Sequence, residues 1–316
     1  MLQQTRVDTV IPYFQRFTSE FPSPEAMAVA PLERVLELWS GLGYYRRARN
    51  LHAAAVELAR LGGFPRSEAG LRALPGVGPY TAGAIGAIAL GLDLPVVDGN
   101  VERVLARYFA VPRPSRAWTW SVATEHLPPG RAGDYDQALM ELGAVVCAPR
   151  SPRCAACPLA AGCAGRSSPE QYPQAKARKV VPRATAVAAV VERDGAVLLA
   201  RRPGTGLLGG LWELPGGKGD VGAVLAARLG LVVVDHRVLG TVGHTFTHLH
   251  LDTTVVTARC SGEPRPVDYD EVRFVGRGSL DGMALSNLAR KTLALAGLPV
   301  RASGRDTLAK KRGAVG

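Results

Sequence analysis

Four cysteines within seventeen residues constrain this chain more than any other feature of its sequence. Cys147, Cys154, Cys157 and Cys163 are spaced C-x6-C-x2-C-x5-C. Thiolates this close repel one another unless a metal neutralises them, and four of them suit either a structural zinc or a [4Fe–4S] cluster. Zinc sites usually pair two short C-x-x-C units across a longer spacer, whereas one short loop carries all four here, which favours the cluster. A structural role is expected for it, because the same loop brings Arg150 and Arg153 to one surface. The fifth cysteine, Cys260, lies far off and reads as a small buried strand residue.

A chain of 316 residues is too long for one typical core and suits two domains. Lys and Arg (38) exceed Asp and Glu (27), and the net charge of +11 points to an anionic partner, nucleic acid ahead of membrane. The first 165 residues contain no lysine and use arginine alone, the residue better suited to bidentate phosphate contacts. No apolar stretch approaches the ~20 residues that span a bilayer. The N-terminus shows no charged region followed by an apolar run, so the chain reads as cytosolic.

Apolar spacing predicts a mostly helical domain over residues 1–165. Its helices are expected at Pro31 to Trp39, Arg46 to Leu61, Thr81 to Leu90, Val101 to Phe109, Ala117 to His126 and Tyr135 to Val146, separated by Gly or Pro turns. Residues 166–182 are polar, basic and without periodicity, and read as a linker. Over 183–300 the pattern turns to strands. Ala186 to Val191 and Ala196 to Ala200 flank Asp194-Gly195, a hairpin signature, and further strands are expected at Val232 to Val234, Val238 to Val242 and Leu249 to Ala258. Asn287 to Ala296 reads as a closing helix and 301–316 as a basic tail.

Two segments of the first domain carry chemistry. Leu74-Pro75-Gly76-Val77-Gly78 joins two helices through a bare turn, and a helix starting at Tyr80 or Thr81 presents N–H groups and a positive dipole end that can hold a phosphate. In Val96-Val97-Asp98-Gly99-Asn100-Val101 an aspartate stands at a helix start, with Asn100 as a candidate cap. With Leu2-Gln3-Gln4-Thr5, Gly41-Leu42-Gly43-Tyr44-Tyr45 and the cysteine loop, this ordered set resembles the helix–hairpin–helix base-excision glycosylases. It is most similar to the adenine glycosylase branch of the MutY type.

That resemblance implies an all-α helix–hairpin–helix glycosylase domain with a [4Fe–4S] loop, followed by an α+β Nudix-like domain. It implies a monofunctional enzyme of base excision repair that hydrolyses the N-glycosidic bond of adenine opposite 8-oxoguanine or guanine. Its partner would be double-stranded DNA holding such a mispair, and the chain is expected to be a monomer. The related endonuclease III branch places a Schiff-base lysine two residues after the hairpin glycine, where this chain has Tyr80. By resemblance Asp98 stabilises the positive charge on the sugar, while Tyr80 and Asn100 organise the site. Gln3, Gln4, Tyr44, Gly76, Val77 and Gly78 would contact DNA, with Gln4 and Tyr44 wedged beside the orphaned base. The family's general-acid glutamate falls two residues before Met1, so the polypeptide as written is expected to bind DNA but to excise poorly.

Arg201 to Gly217 resembles the Nudix-like module that follows these glycosylases. The helix after Gly216-Gly217 has no acid where a hydrolase holds magnesium, so a recognition role is expected. Phe246, Thr247 and His248 match the loop that contacts 8-oxoguanine. The histidines at 244, 248 and 250 also suggest zinc, against which the nearby sequence offers no good fourth ligand. Two other readings compete: a non-catalytic protein that surveys mispairs, and a nucleotide-pyrophosphate hydrolase built on the second module.

Overall fold

The computed structural model describes residues 1–2, 5–175, 180–298 and 300. The core of the expected linker at 176–179 and the basic tail 301–316 lie outside the described residues. In the first half the helices are α1 (Val7–Glu20), α2 (Pro24–Ala28), α3 (Leu32–Trp39), α4 (Arg46–Leu61), α5 (Glu68–Ala73), α6 (Pro79–Ala84), α7 (Gly99–Tyr108), α8 (Arg116–Glu125) and α9 (Ala132–Glu141). Helices α6 and α9 each run on into a π turn, Ile85–Ala89 and Leu142–Val146. The second half holds β1 (Arg183–Val190), β2 (Glu192–Arg193), β3 (Ala196–Arg201), β4 (Trp212–Glu213), β5 (Gly216–Gly217), β6 (Val232–Phe246), β7 (Leu249–Ser261) and β8 (Glu271–Gly276), with α10 (Val221–Leu229) and α11 (Asn287–Leu295).

Contacts divide the chain into two compact units, Met1–Val56 with Lys179–Gly316, and Glu57–Arg178. In the first, one sheet runs β5-β1-β7-β6 and a second joins β2, β3, β4 and β8. Strands β1 and β7 are parallel, from Arg183 opposite His250 to Val190 opposite Thr257. Both faces are covered over residues 187–190 of β1 and 197–200 of β3, which is why those stretches read as unbroken apolar runs. Ala188, Val190, Val197 and Leu199 enter one core with Val10, Phe17, Leu36, Trp39 and Leu293. Their neighbours Val187, Ala189, Leu198 and Ala200 enter another with Val224, Leu225 and Leu229 of α10. Alternation of side chains along a strand sends successive residues to opposite faces.

The compact units cut the chain elsewhere than the sequence boundaries do. Val10, Tyr13 and Phe17 make one apolar stripe on α1, and that stripe and α3 bury themselves in the core that β1 and β3 share. Ser40 and Tyr45 both donate to the carbonyl of Leu285, at 2.8 and 2.9 Å. The turn Asp194-Gly195 forms as expected, with positive φ at both residues. The strands expected separately at 232–234 and 238–242 are one strand, β6, interrupted by two irregularities in its pairing with β7.

In the second unit Leu58, Leu71, Leu74 and Ala82 pack around the α5–α6 turn, and Val101, Val104, Leu105, Ala123 and Leu139 around α7. The backbones come close where side chains are absent. A Cβ on Gly143 would lie 2.6 Å from Asn100 Cβ, and one on Gly83 would collide with the carbonyl of Pro95. The start of the expected linker is an ordered strap. Arg107 Nε donates to Tyr172 O at 3.0 Å, and the Gln174 amide to Pro112 O at 2.8 Å. Strap and helix exchange hydrogen bonds that no periodicity announces.

Candidate active site

Helix α7 begins at Asp98, whose Oδ1 accepts the backbone N–H of Asn100 and of Val101, both at 2.8 Å. The cap is therefore Asp98 itself. Asn100, expected there, is the second helical residue, and its Nδ2 reaches back to Asp98 Oδ2 at 2.9 Å. Three donors thus fix the carboxylate plane. Burial and then the charge of Asp98 push the Tyr80 phenol above its ordinary value, so the two side chains share one electrostatic environment.

Arg103, one turn further along α7, was not singled out from the sequence. Its Nη2 donates to Asn100 Oδ1 (2.9 Å) and Gly143 O (2.7 Å), and its Nε to Cys147 O (2.8 Å). A continuous path of hydrogen bonds therefore runs from Asp98 through Asn100 and Arg103 to the first cysteine. Arg107, buried one turn later, donates to Cys147 O at 3.1 Å, Ala148 O at 2.8 Å, Pro149 O at 3.1 Å and the Cys147 Sγ at 3.3 Å. The i, i+4 spacing of two arginines on α7 is the signal that could have revealed them.

Cys147, Cys154, Cys157 and Cys163 all line one pocket beside Arg107 and Arg166. The Cys163 thiol is pushed up by burial first and then by the charges of the other three cysteines. Among the described residues no group of three or more His, Cys, Asp or Glu gathers closely enough to hold a metal ion. Four soft sulfur donors facing one cavity, with guanidinium groups to offset their negative charge, fit a cluster of several irons chemically.

The hairpin residues occupy the turn between α5 and α6. Gly76 lies at φ +75°, a left-handed conformation that favours glycine. Val77 donates its N–H to Leu74 O at 3.1 Å, and Gly78 precedes α6, which starts at Pro79 without a side-chain cap. In the other unit Tyr44 is 49% exposed, at φ +49°, with the Arg47 guanidinium 5.2 Å over its ring. Tyr44 is therefore no core aromatic. Gln3 and Gln4 lie outside the described residues.

Thr247 and His248 are the exposed two-residue turn between β6 and β7, and Phe246 ends β6 beside them. The Phe246 ring meets His244 edge-on at 4.5 Å. His250 spans the strands, with one ring nitrogen 2.8 Å from Thr245 Oγ1 and the other 3.2 Å from Asp252 Oδ1. Asp252 is an acid that the sequence reading of this histidine group overlooked, and Arg183 holds it at 2.9 Å. Burial, followed by Lys291 and His250, holds His244 below the usual imidazole range.

Beside β5 (Gly216–Gly217) a cation is already built in. Arg228 of α10 donates to Gly216 O and, at 2.9 Å, to Tyr269 Oη, with its guanidinium 4.1 Å over the Tyr269 ring. Asp220 spends Oδ1 on capping α10, accepting from Gly222 N at 2.8 Å and Ala223 N at 3.2 Å. Cys260 is only partly buried, on β7.

Residues 1–122 match the family described as HhH-GPD superfamily base excision DNA repair protein, and residues 186–295 match the NUDIX domain. The class is thus a helix–hairpin–helix repair protein carrying a Nudix domain. The adenine DNA glycosylase of Homo sapiens is 36% identical over 328 residues, covering 83% of this chain and 60% of its own length. That of Rattus norvegicus is 36% identical over 357 residues (92% and 69%), and that of Schizosaccharomyces pombe 44% identical over 172 residues (52% and 37%). This chain belongs to the adenine DNA glycosylase family. It spans 60% of the length of the human relative.

Proposed function

We propose that the chain is a monofunctional DNA glycosylase that hydrolyses the N-glycosidic bond of adenine mispaired with 8-oxoguanine or guanine, acting on chromosomal DNA in the cytosol. The observation that carries this reading is the Asp98 carboxylate, held by three donors at the head of α7 and sharing its surroundings with a tyrosine in place of an amine. As adenine departs, C1′ of the sugar becomes positive. A carboxylate already oriented stabilises that charge without reorganising. Asn100 keeps the carboxylate in its plane, Tyr80 walls the site, and water rather than an enzyme amine completes the reaction. The Gly76-Val77-Gly78 turn holds a phosphate, Tyr44 and the glutamines at 3 and 4 wedge the duplex, and Phe246, Thr247 and His248 meet the 8-oxoguanine.

The sequence boundaries 1–165, 166–182 and 183–300 mark the glycosylase module, its connector and the recognition module in this reading. Cys147, Cys154, Cys157 and Cys163 would hold a [4Fe–4S] cluster, which supplies a rigid cross-link for the loop when bound. Arg107 fixes that loop from the α7 side. The second module reads as non-hydrolytic, since α10 carries no acid and its Arg228 donates to the Gly216 carbonyl of β5.

The test is single-turnover release of adenine from an A:8-oxoguanine duplex. It is run with the 316-residue chain and with one extended to place a glutamate two residues before Met1. Release by the extended chain, its loss in Asp98→Asn, and no borohydride-trapped adduct are expected. A trapped adduct in high yield would refute hydrolysis without covalent capture, and tight mispair binding without release by either chain would favour a non-catalytic surveyor.

A further inference from the structure

We propose that Asp136 is a positioning residue for the Asp98 carboxylate, clamping the backbone two residues upstream of it. The inference rests on the reading of Asp98 as the catalytic group.

Asp136 lies on α9 and is 1% exposed. Its Oδ1 accepts the N–H of Val96 at 3.1 Å, across forty residues of chain, while Oδ2 is buried and meets no donor among the described residues. A buried carboxylate with half its capacity unused costs free energy, so its one hydrogen bond must hold something that the fold needs held. What it holds is a segment with no regular structure of its own. From Leu92 to Asp98 the chain is neither helix nor strand, and α7 begins only after Asp98. Val96 is fully buried. On another side Gly83 of α6 lies so close beneath the Pro95 carbonyl that no Cβ fits between them. The segment is thus gripped by α9 through a hydrogen bond and by α6 through direct backbone contact, and Asp98 leaves that grip two residues later.

Burial pushes the Asp136 carboxyl up to about 6. A neutral carboxyl still offers Oδ1 to Val96, so the clamp holds in either protonation state. Displacements of about 1 Å at a reacting group cost on the order of 100-fold in rate, which sets the scale of what the clamp protects.

With the extended chain of the functional test as parent, the experiment compares Asp136→Asn, which keeps an acceptor for Val96, with Asp136→Leu, which removes it. Asp136→Leu is expected to slow adenine release ~10- to 100-fold at unchanged duplex affinity. Asp136→Asn should stay within about 3-fold of the parent. In an Asp98→Asn background Asp136→Leu should add no further loss. Gly83→Ala, which presses Pro95 from the other side, should give the same split between rate and affinity, and it replaces Asp136→Leu if that variant does not fold. Hydrogen exchange at the Val96 amide supplies a readout without activity: protected in the parent and in Asp136→Asn, exposed in Asp136→Leu. A parent that shows this protection but releases no adenine would sink the functional reading and leave the clamp standing. Fast exchange at Val96 in the parent, an undiminished rate in Asp136→Leu and Gly83→Ala, or equal losses of rate and affinity would overturn the inference.

Discussion

Asp98 does two jobs with two oxygens. One caps a helix, and the other takes a single side-chain donor and, in the proposed reaction, faces the developing cation. Asp98→Asn should lower adenine release on the order of 10²- to 10³-fold in single turnover while gel-shift affinity stays within a few-fold. Arg103→Met removes the donor shared by Asn100, Gly143 and Cys147 and should cost about 1–3 kcal/mol in urea unfolding, with slower release beside it. Asp136 gives a prediction with a sign. Its carboxyl is raised to about 6 from an unfolded value near 3.8. Its stabilising contribution is therefore complete below about pH 3.8 and is lost as pH rises through about 6, a change of roughly 3 kcal/mol at most. Urea midpoints for the parent should fall across that window more than those of Asp136→Asn. Asp98 and Tyr80 could be singled out in the sequence because each sits inside a short motif that resembles the family's. Asp136 could not, because what it touches lies forty residues away, and Arg103 left only its i, i+4 spacing to Arg107 as a trace.

Among the elements, those with strong local signals were read most closely. Helix α4 runs from Arg46 to Leu61 as expected, ended by Gly62, and the Asp194-Gly195 turn formed because only certain residues tolerate its φ values. Helices α1 and α2 went unread, since their apolar stripes serve surfaces that only the folded chain reveals, and α5 was read only as the helix before the hairpin, without bounds. The two π turns were invisible for the same reason, since each is an accommodation to a neighbour. One of them carries Gly143, whose missing Cβ lets it rest on Asn100. Gly143→Ala should destabilise the protein by about 1–3 kcal/mol and slow adenine release, read by thermal melts and single turnover. In the β6–β7 hairpin, His250→Ala releases Thr245 and Asp252 together. The expected outcome is a few-fold loss in the preference for A:8-oxoguanine over A:G, measured as the ratio of release rates, with the sheet intact by circular dichroism.

For the whole molecule, the charge of +11 sets a condition on every binding measurement. Contacts to several phosphates should make affinity fall steeply with salt, by ~10³-fold between 50 and 200 mM if six are made. A bound cluster of the proposed kind should colour the purified protein brown, and stripping its iron should bleach that colour and lower the melting temperature, with Val96 exchange as an independent report on the site. A final consequence follows from Arg228. Placing acids on α10 would not by itself turn the second module into a hydrolase, because Arg228 on the same helix already holds a permanent positive charge against the Gly216 carbonyl. The conversion needs the arginine evicted as well, and with it the ring of Tyr269 loses its lid. The proposed recognition role of that module thus rests on an occupant and not merely on a vacancy, and magnesium concentration should leave it unchanged.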